Sequence, residues 1–113
     1  MTHYLISFPS AAMQVPDDDM EAVGRAARAV VEEAKAAGVY VFAGGINESV
    51  APALVCADGT VAAGGYGWAP PLDGGFTVLQ LPSRTEALAW AARLASACRC
   101  AQELREFQDD PQR

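Results

Sequence analysis

The stretch from Gly74 to Phe107 constrains the fold more than any other part of the chain, because it spells out a strand, a capped helix and a strand in direct succession. Gly74-Gly-Phe-Thr-Val-Leu-Gln-Leu81 is rich in β-formers, and Pro82 breaks it. Ser83 and Glu86 then have capping-box spacing, in which the serine oxygen accepts from the amide three residues on. Leu88, Ala91, Leu94 and Ala95 recur at helical spacing and read as the buried stripe, with Trp90 beside it. Cys100 to Phe107 reads as the closing strand, and Asp109 to Arg113 as a polar tail outside a single domain of residues 1–108.

The first half repeats this grammar. His3 to Phe8 is a strand ended by Pro9-Ser10, and Met13 to Pro16 is a connection. Asp17-Asp-Asp19 opens a helix over about Met20–Ala37, with Asp18 and Glu21 again at capping-box spacing. The three carboxylates have a sufficient role at a helix start, so no metal site is read from them. Val23, Ala26, Ala27, Val30, Val31 and Ala34 share one face, and Gly38 suits the residue that stops the helix. Val39 to Ala43 is a second strand, on which Tyr40 and Phe42 are expected to share a face as core or interface residues. Ala53–Ala57 and Thr60–Ala63 form a hairpin around Asp58-Gly59, a pair that favours a type I′ turn. Gly64 to Gly75 is a Gly/Pro-rich loop. The order β-α-β, hairpin, β-α-β predicts an α+β fold, a ferredoxin-like sandwich with both helices on one face. The other face then needs cover, and a homodimer with the two sheets facing each other provides it.

Composition narrows the function. The chain has 113 residues, 51% of them hydrophobic, and a net charge of −6. Its eight basic residues are scattered, which argues against nucleic acid and anionic membrane surfaces as partners. No apolar run approaches the ~20 residues of a membrane-spanning helix, and Met1 to Phe8 lacks the pattern of a signal peptide, so a cytoplasmic location is expected. Cys56, Cys98 and Cys100 make an odd count, and Cys98-Arg-Cys100 has neither redox nor zinc spacing; free thiols are the simpler reading. Gly44-Gly45 and Gly74-Gly75 lack the spacing of phosphate loops, and no cofactor is implied.

Four segments in order, Tyr4-Leu-Ile-Ser-Phe8, Glu33-Ala-Lys-Ala-Ala-Gly-Val-Tyr-Val41, Gly74-Gly-Phe76 and Ser83-x-x-Glu-Ala-Leu-x-Trp-Ala-Ala92, resemble the YCII-related, or DGPF-domain, family of small dimeric α+β barrel proteins. The ending Cys98-Arg-Cys-Ala-Gln-Glu-Leu-Arg-Glu-Phe107 looks like one branch of it. The resemblance covers nearly the whole chain. It implies a dimeric α+β barrel, a cleft between sheet and helices, and a His–Asp pair as acid–base centre. This chain departs at both positions of that pair. Arg28 stands about where the helix histidine would be, and the Asp-Gly-Pro-Phe motif falls on Ala63-Gly64-Gly65-Tyr66.

The candidate site residues follow. Arg28 suits a ligand carboxylate or phenolate if it faces inward, and is otherwise a solvated helix residue. Tyr66 and Trp68 suit a lid over a flat ligand, or cover for a sheet edge or dimer interface. His3, Tyr66 and Asp73 are the groups available for acid–base chemistry; His3 also reads as an ordinary strand-end residue and Asp73 as a turn residue. The leading expectation is a protein binding a small aromatic or amphipathic metabolite between the sheet and the first helix. The alternatives are a cofactor-free lyase or isomerase acting on such a metabolite, and a non-catalytic regulatory or interaction subunit.

Overall fold

The computed structural model describes residues 1–112. The last residue of the predicted polar tail, Arg113, lies outside them. The chain forms β1 (Thr2–Phe8), α1 (Met20–Ala36), β2 (Tyr40–Gly45), β3 (Ala53–Val55), β4 (Val61–Ala63), β5 (Gly75–Leu81), α2 (Arg84–Cys98) and β6 (Glu103–Glu106). The fold is α+β. Four strands make one antiparallel sheet in the order β2-β5-β1-β6, and β3-β4 stand apart as a two-stranded sheet.

The seven-residue pairing of β1 with β5 sets the two faces of the main sheet, since side chains alternate along each strand. Tyr4 and Ile6 on β1, Leu79 and Leu81 on β5, and Leu104 on β6 lie on the helix side. Ile6, Leu79 and Leu81 are the largest fully buried side chains, each stabilising the fold by roughly 1.5–3 kcal/mol. Burial raises the Tyr4 phenol above its ordinary pKa, and Glu106, its partner across β6, adds to the effect. The opposite face carries His3, Leu5, Phe76 and Val78, all half-buried, and no element among the described residues packs on it.

The caps account for the helix limits. Ser83 Oγ accepts from Glu86 N at 3.2 Å, as its spacing predicts. Gly38, at φ +74°, closes α1 through Gly38 N–H to Lys35 O and Val39 N–H to Ala34 O, a Schellman arrangement. The start of α1 departs from expectation. Residues 17–19 form a 3-10 turn, so the backbone is already helical at Asp19, and no side chain caps the helix. Asp19 instead pairs with Arg99 at 3.0 Å, tying this turn to the end of α2. Arg99 ends α2 at φ 56°, and Cys100 N–H reaches back to Ala95 O. This turn consumes the residues after the helix, so β6 is shorter than the predicted Cys100–Phe107.

Four further expectations are corrected. The buried stripe of α2 is Ala87, Ala91, Leu94 and Cys98, which leaves Leu88 half exposed; small alanines, not the larger leucine, face the sheet. Ala26 on α1 is likewise exposed. In β2 the register slips between Tyr40 and Phe42, so Tyr40 pairs with Leu79 on the helix side while Phe42 pairs with Val78 on the open face. The bulge inserts one residue and reverses the alternation, and the Tyr40 hydroxyl accepts from Ala43 N–H across it. The hairpin turn is not type I′. Gly59 N–H bonds Cys56 O, and only Gly59 has positive φ, where type I′ needs two such residues in succession.

Gly74 joins the ends of three strands. It sits at φ +79°, its carbonyl accepts from Ile46 N–H, and an added Cβ would collide with the Phe8 carbonyl oxygen and lie 2.9 Å from both Pro9 C and Ser10 N. Gly74→Ala is therefore expected to cost about 3 kcal/mol or more. Ser83→Ala is expected to cost about 1 kcal/mol. Urea midpoints with unchanged m-values would measure both, and comparable losses would contradict the ranking.

Candidate functional site

Two cavities flank the junction at Gly74. The first is a cleft of about 600 Å³ between α1 and the sheet, within the size range of small-molecule sites. Its space comes from side chains that are missing. Ala43-Gly44-Gly45 and Gly74-Gly75 bring the ends of β2 and β5 into its wall with almost no bulk. Gly75 leaves room for the Phe8 ring, which an added Cβ would meet at 2.7 Å. Met20, Val23 and Val31 supply apolar wall from α1, and Leu94 and Cys98 from α2.

The cleft carries two cations, Arg28 and Lys35, seven residues apart on one face of α1. Lys35 is engaged, 3.3 Å from Glu32 and over the Tyr40 ring at 5.1 Å. Among the described residues Arg28 has no carboxylate partner, and it is exposed at the cleft. The other arginines of the helices are committed: Arg25 to Glu21, Arg93 to Glu33 and Trp90, Arg99 to Asp19, with Arg84 outside the cleft.

The second cavity, about 620 Å³, lies between the hairpin and the Gly/Pro loop and is lined by Ile46, Val50, Leu54, Tyr66, Pro70 and Leu72 among others. Glu48 and Asp73 also reach it. Ser10 holds both carboxylates, donating its N–H to Asp73 at 2.9 Å and its hydroxyl to Glu48. Asp73 is thus the anchor of the chain that leaves β1.

The predicted residues separate. Arg28 lines the first cleft; Tyr66 and Asp73 line the second cavity; Trp68 lines neither, packing instead against Tyr66 with centroids 5.1 Å apart and the rings tilted by 43°. His3 pairs with Gln80 on the open face of the sheet, away from both. The three acid–base candidates are not assembled. Phe8, Met20 and Gly75 were missed as cleft residues, because which of them meet depends on strand pairing. No group of metal-binding side chains occurs among the described residues, and no helix among them is long and apolar enough to cross a membrane. No family model matches the chain, and no curated protein is significantly similar to it in sequence.

The cysteines are all unbridged: Cys56 is exposed, Cys98 buried and Cys100 half-buried. Burial raises the Cys98 thiol above its ordinary pKa, with a smaller contribution from Cys100, and burial raises Cys100 too. At neutral pH a disulfide reagent should therefore modify Cys56 quickly, and Cys98 only on unfolding. A raised folded-state pKa contributes its full stability while the unfolded thiol still holds its proton. Stability should thus fall as pH rises from about 8.5 toward the raised values. Paired Cys98→Ala and Cys100→Ala changes should flatten that alkaline slope in pH-dependent urea titrations, and an unchanged slope would refute the assignment.

Proposed function

We propose that this chain is a ligand-binding protein that takes a small aromatic or amphipathic molecule bearing one anionic group, held in the cleft between α1 and the sheet. The carrying observation is a largely apolar cleft of about 600 Å³ with Arg28 on its wall, a guanidinium that meets no carboxylate among the described residues. A flat apolar body fills the space between Phe8, Val23 and Leu94, and a carboxylate or phenolate meets Arg28. Binding is favoured over catalysis because no histidine lines the cleft and its one carboxylate, Glu32, is engaged by Lys35.

The same reading makes the chain a divergent relative of the YCII-related proteins, with a ferredoxin-like fold. The strand order β2-β5-β1-β6 with both helices on one face supports it. It also makes the chain a homodimer built on the open sheet face, supported by the half-buried Leu5, Phe76 and Val78 and the exposed Phe42 on that face. Three unbridged cysteines support a reducing, cytoplasmic setting.

The anionic aromatic probe anilinonaphthalene sulfonate tests the cleft. Saturable binding is expected in native buffer, weakened roughly 10- to 100-fold by Arg28→Ala, the loss of one charge-assisted hydrogen bond. Gly24→Leu should abolish it, since Gly24 lines the cleft and an added Cβ there meets nothing within 4 Å. Urea midpoints would show that both variants stay folded. Binding indifferent to both changes would refute the site.

A further inference from the structure

The segment from Asn47 to Leu72 behaves as an arm, not as part of the packed body. Its strands β3 and β4 contact chiefly each other. An isolated two-stranded hairpin is at best marginally stable in water, so a regular one with little packing of its own calls for a surface to lie on. The arm also spreads the molecule. The radius of gyration is 15.8 Å, against about 13 Å for a compact chain of this length.

Its side chains point the same way. Val50, Val55, Val61, Tyr66, Trp68 and Leu72 are each 63% to 84% exposed. With an aromatic side chain offering roughly 150–250 Å², these six present surface on the order of the ~800 Å² per partner of a stable interface. Val50, Tyr66 and Leu72 line the second cavity with Leu54, Trp68 lies against Tyr66, and Val55 and Val61 pair on the other face of the hairpin, so the arm exposes apolar side chains on both of its faces. Charge is sparse: within residues 47–72 the only charged side chains are Glu48, which accepts from the Ser10 hydroxyl, and Asp58, which Thr60 satisfies through its N–H at 3.0 Å and hydroxyl at 2.7 Å.

We propose that residues 47–72 form an intersubunit clasp, which in the two-fold pair lies on the second copy of this chain and buries Tyr66 and Trp68 there. This rests on the homodimer reading above and extends it from sheet-to-sheet contact to an exchange of arms. Continuity selects the second copy as occupant. The exposed apolar residues run on from Val41, Phe42 and Ile46, on and beside the open sheet face, directly into the arm at Val50. The molecule measures 45 × 43 × 20 Å, and its thin dimension is that of one sheet and one helix layer. The thin dimension leaves no room for the arm to stack as a further layer, so it extends the slab sideways, where it lies beside a copy seated on the open face. An unlike partner of the arm alone would leave the sheet face bare.

The test uses the chain's two tryptophans, Trp68 and Trp90. In Trp90→Phe, Trp68 is the sole indole, and acrylamide quenching reads its exposure while sedimentation velocity reads the assembly. A dimer is expected, with Trp68 quenched several-fold less than free indole and regaining full quenching on dilution to monomer. The double change Val55→Ser, Val61→Ser should raise the dimer dissociation constant at least ~10-fold. Should Trp90→Phe fail to fold, hydrogen exchange of the unaltered chain reads the same point: the amides of β3 and β4 should be protected in the dimer and lose protection on dilution. A dimer in which Trp68 is quenched like free indole, or whose arm amides exchange freely, overturns the clasp and leaves the sheet-to-sheet dimer standing. A monomer at every concentration overturns both.

Discussion

The antiparallel pairing of β1 with β5 is the constraint on which the rest of the structure depends. Its register, from Thr2 opposite Leu81 to Phe8 opposite Gly75, decides which side chains point at the helices and which at the open face. Once Tyr4, Ile6, Leu79 and Leu81 face the helices, α1 and α2 must lie on that side to exclude water from them. β2 and β6 then add at the two edges. The helices approach closely because their contact faces are alanine-rich: Ala34 on α1, Ala87 and Ala91 on α2. A shift of one residue in the central register would turn the whole core outward.

The same register creates the cleft. Phe8 and Gly75 face each other at the end of the central pair, and Gly45 continues that row onto β2. Large residues at the glycine positions would close the space between α1 and the sheet. Gly74 has a different task, admitting the Phe8 carbonyl and the chain beyond it where no Cβ fits. Glycines adjacent in sequence thus do separate work, one for backbone approach and one for space. The arginine at the cleft stays available because the nearby helix carboxylates Glu21 and Glu32 are taken by Arg25 and Lys35.

Much of the local structure was legible from residues alone. The Ser83 cap, the Gly38 stop and the irregular Gly/Pro loop depend on backbone preferences acting over a few residues. The misreadings occur where a longer-range contact overrides a local preference. Asp18 has the spacing of a cap, but the preceding turn makes the chain helical too early and Asp19 is drawn to Arg99, eighty residues away. Asp58-Gly59 favours a two-residue turn, yet the Asp58 carboxylate bonds Thr60 and the loop settles with Gly59 alone at positive φ. Leu88 is the more hydrophobic choice for the α2 stripe, but the sheet accepts the face bearing Ala87 and Cys98.

What the sequence by itself determined is the succession of elements and, through it, the α+β class. Strand and helix signals are carried by neighbouring residues, and their order leaves few ways to pack. Only the tertiary structure decided that Phe42 leaves the core, that Asp73 anchors the chain after β1, and that Arg28 stands apart from Tyr66 and Trp68. A bulge at Val41 is a mismatch between two strands and has no local signature. A cavity is a shape bounded by residues far apart in the chain, so its lining exists only once the strands have chosen their register.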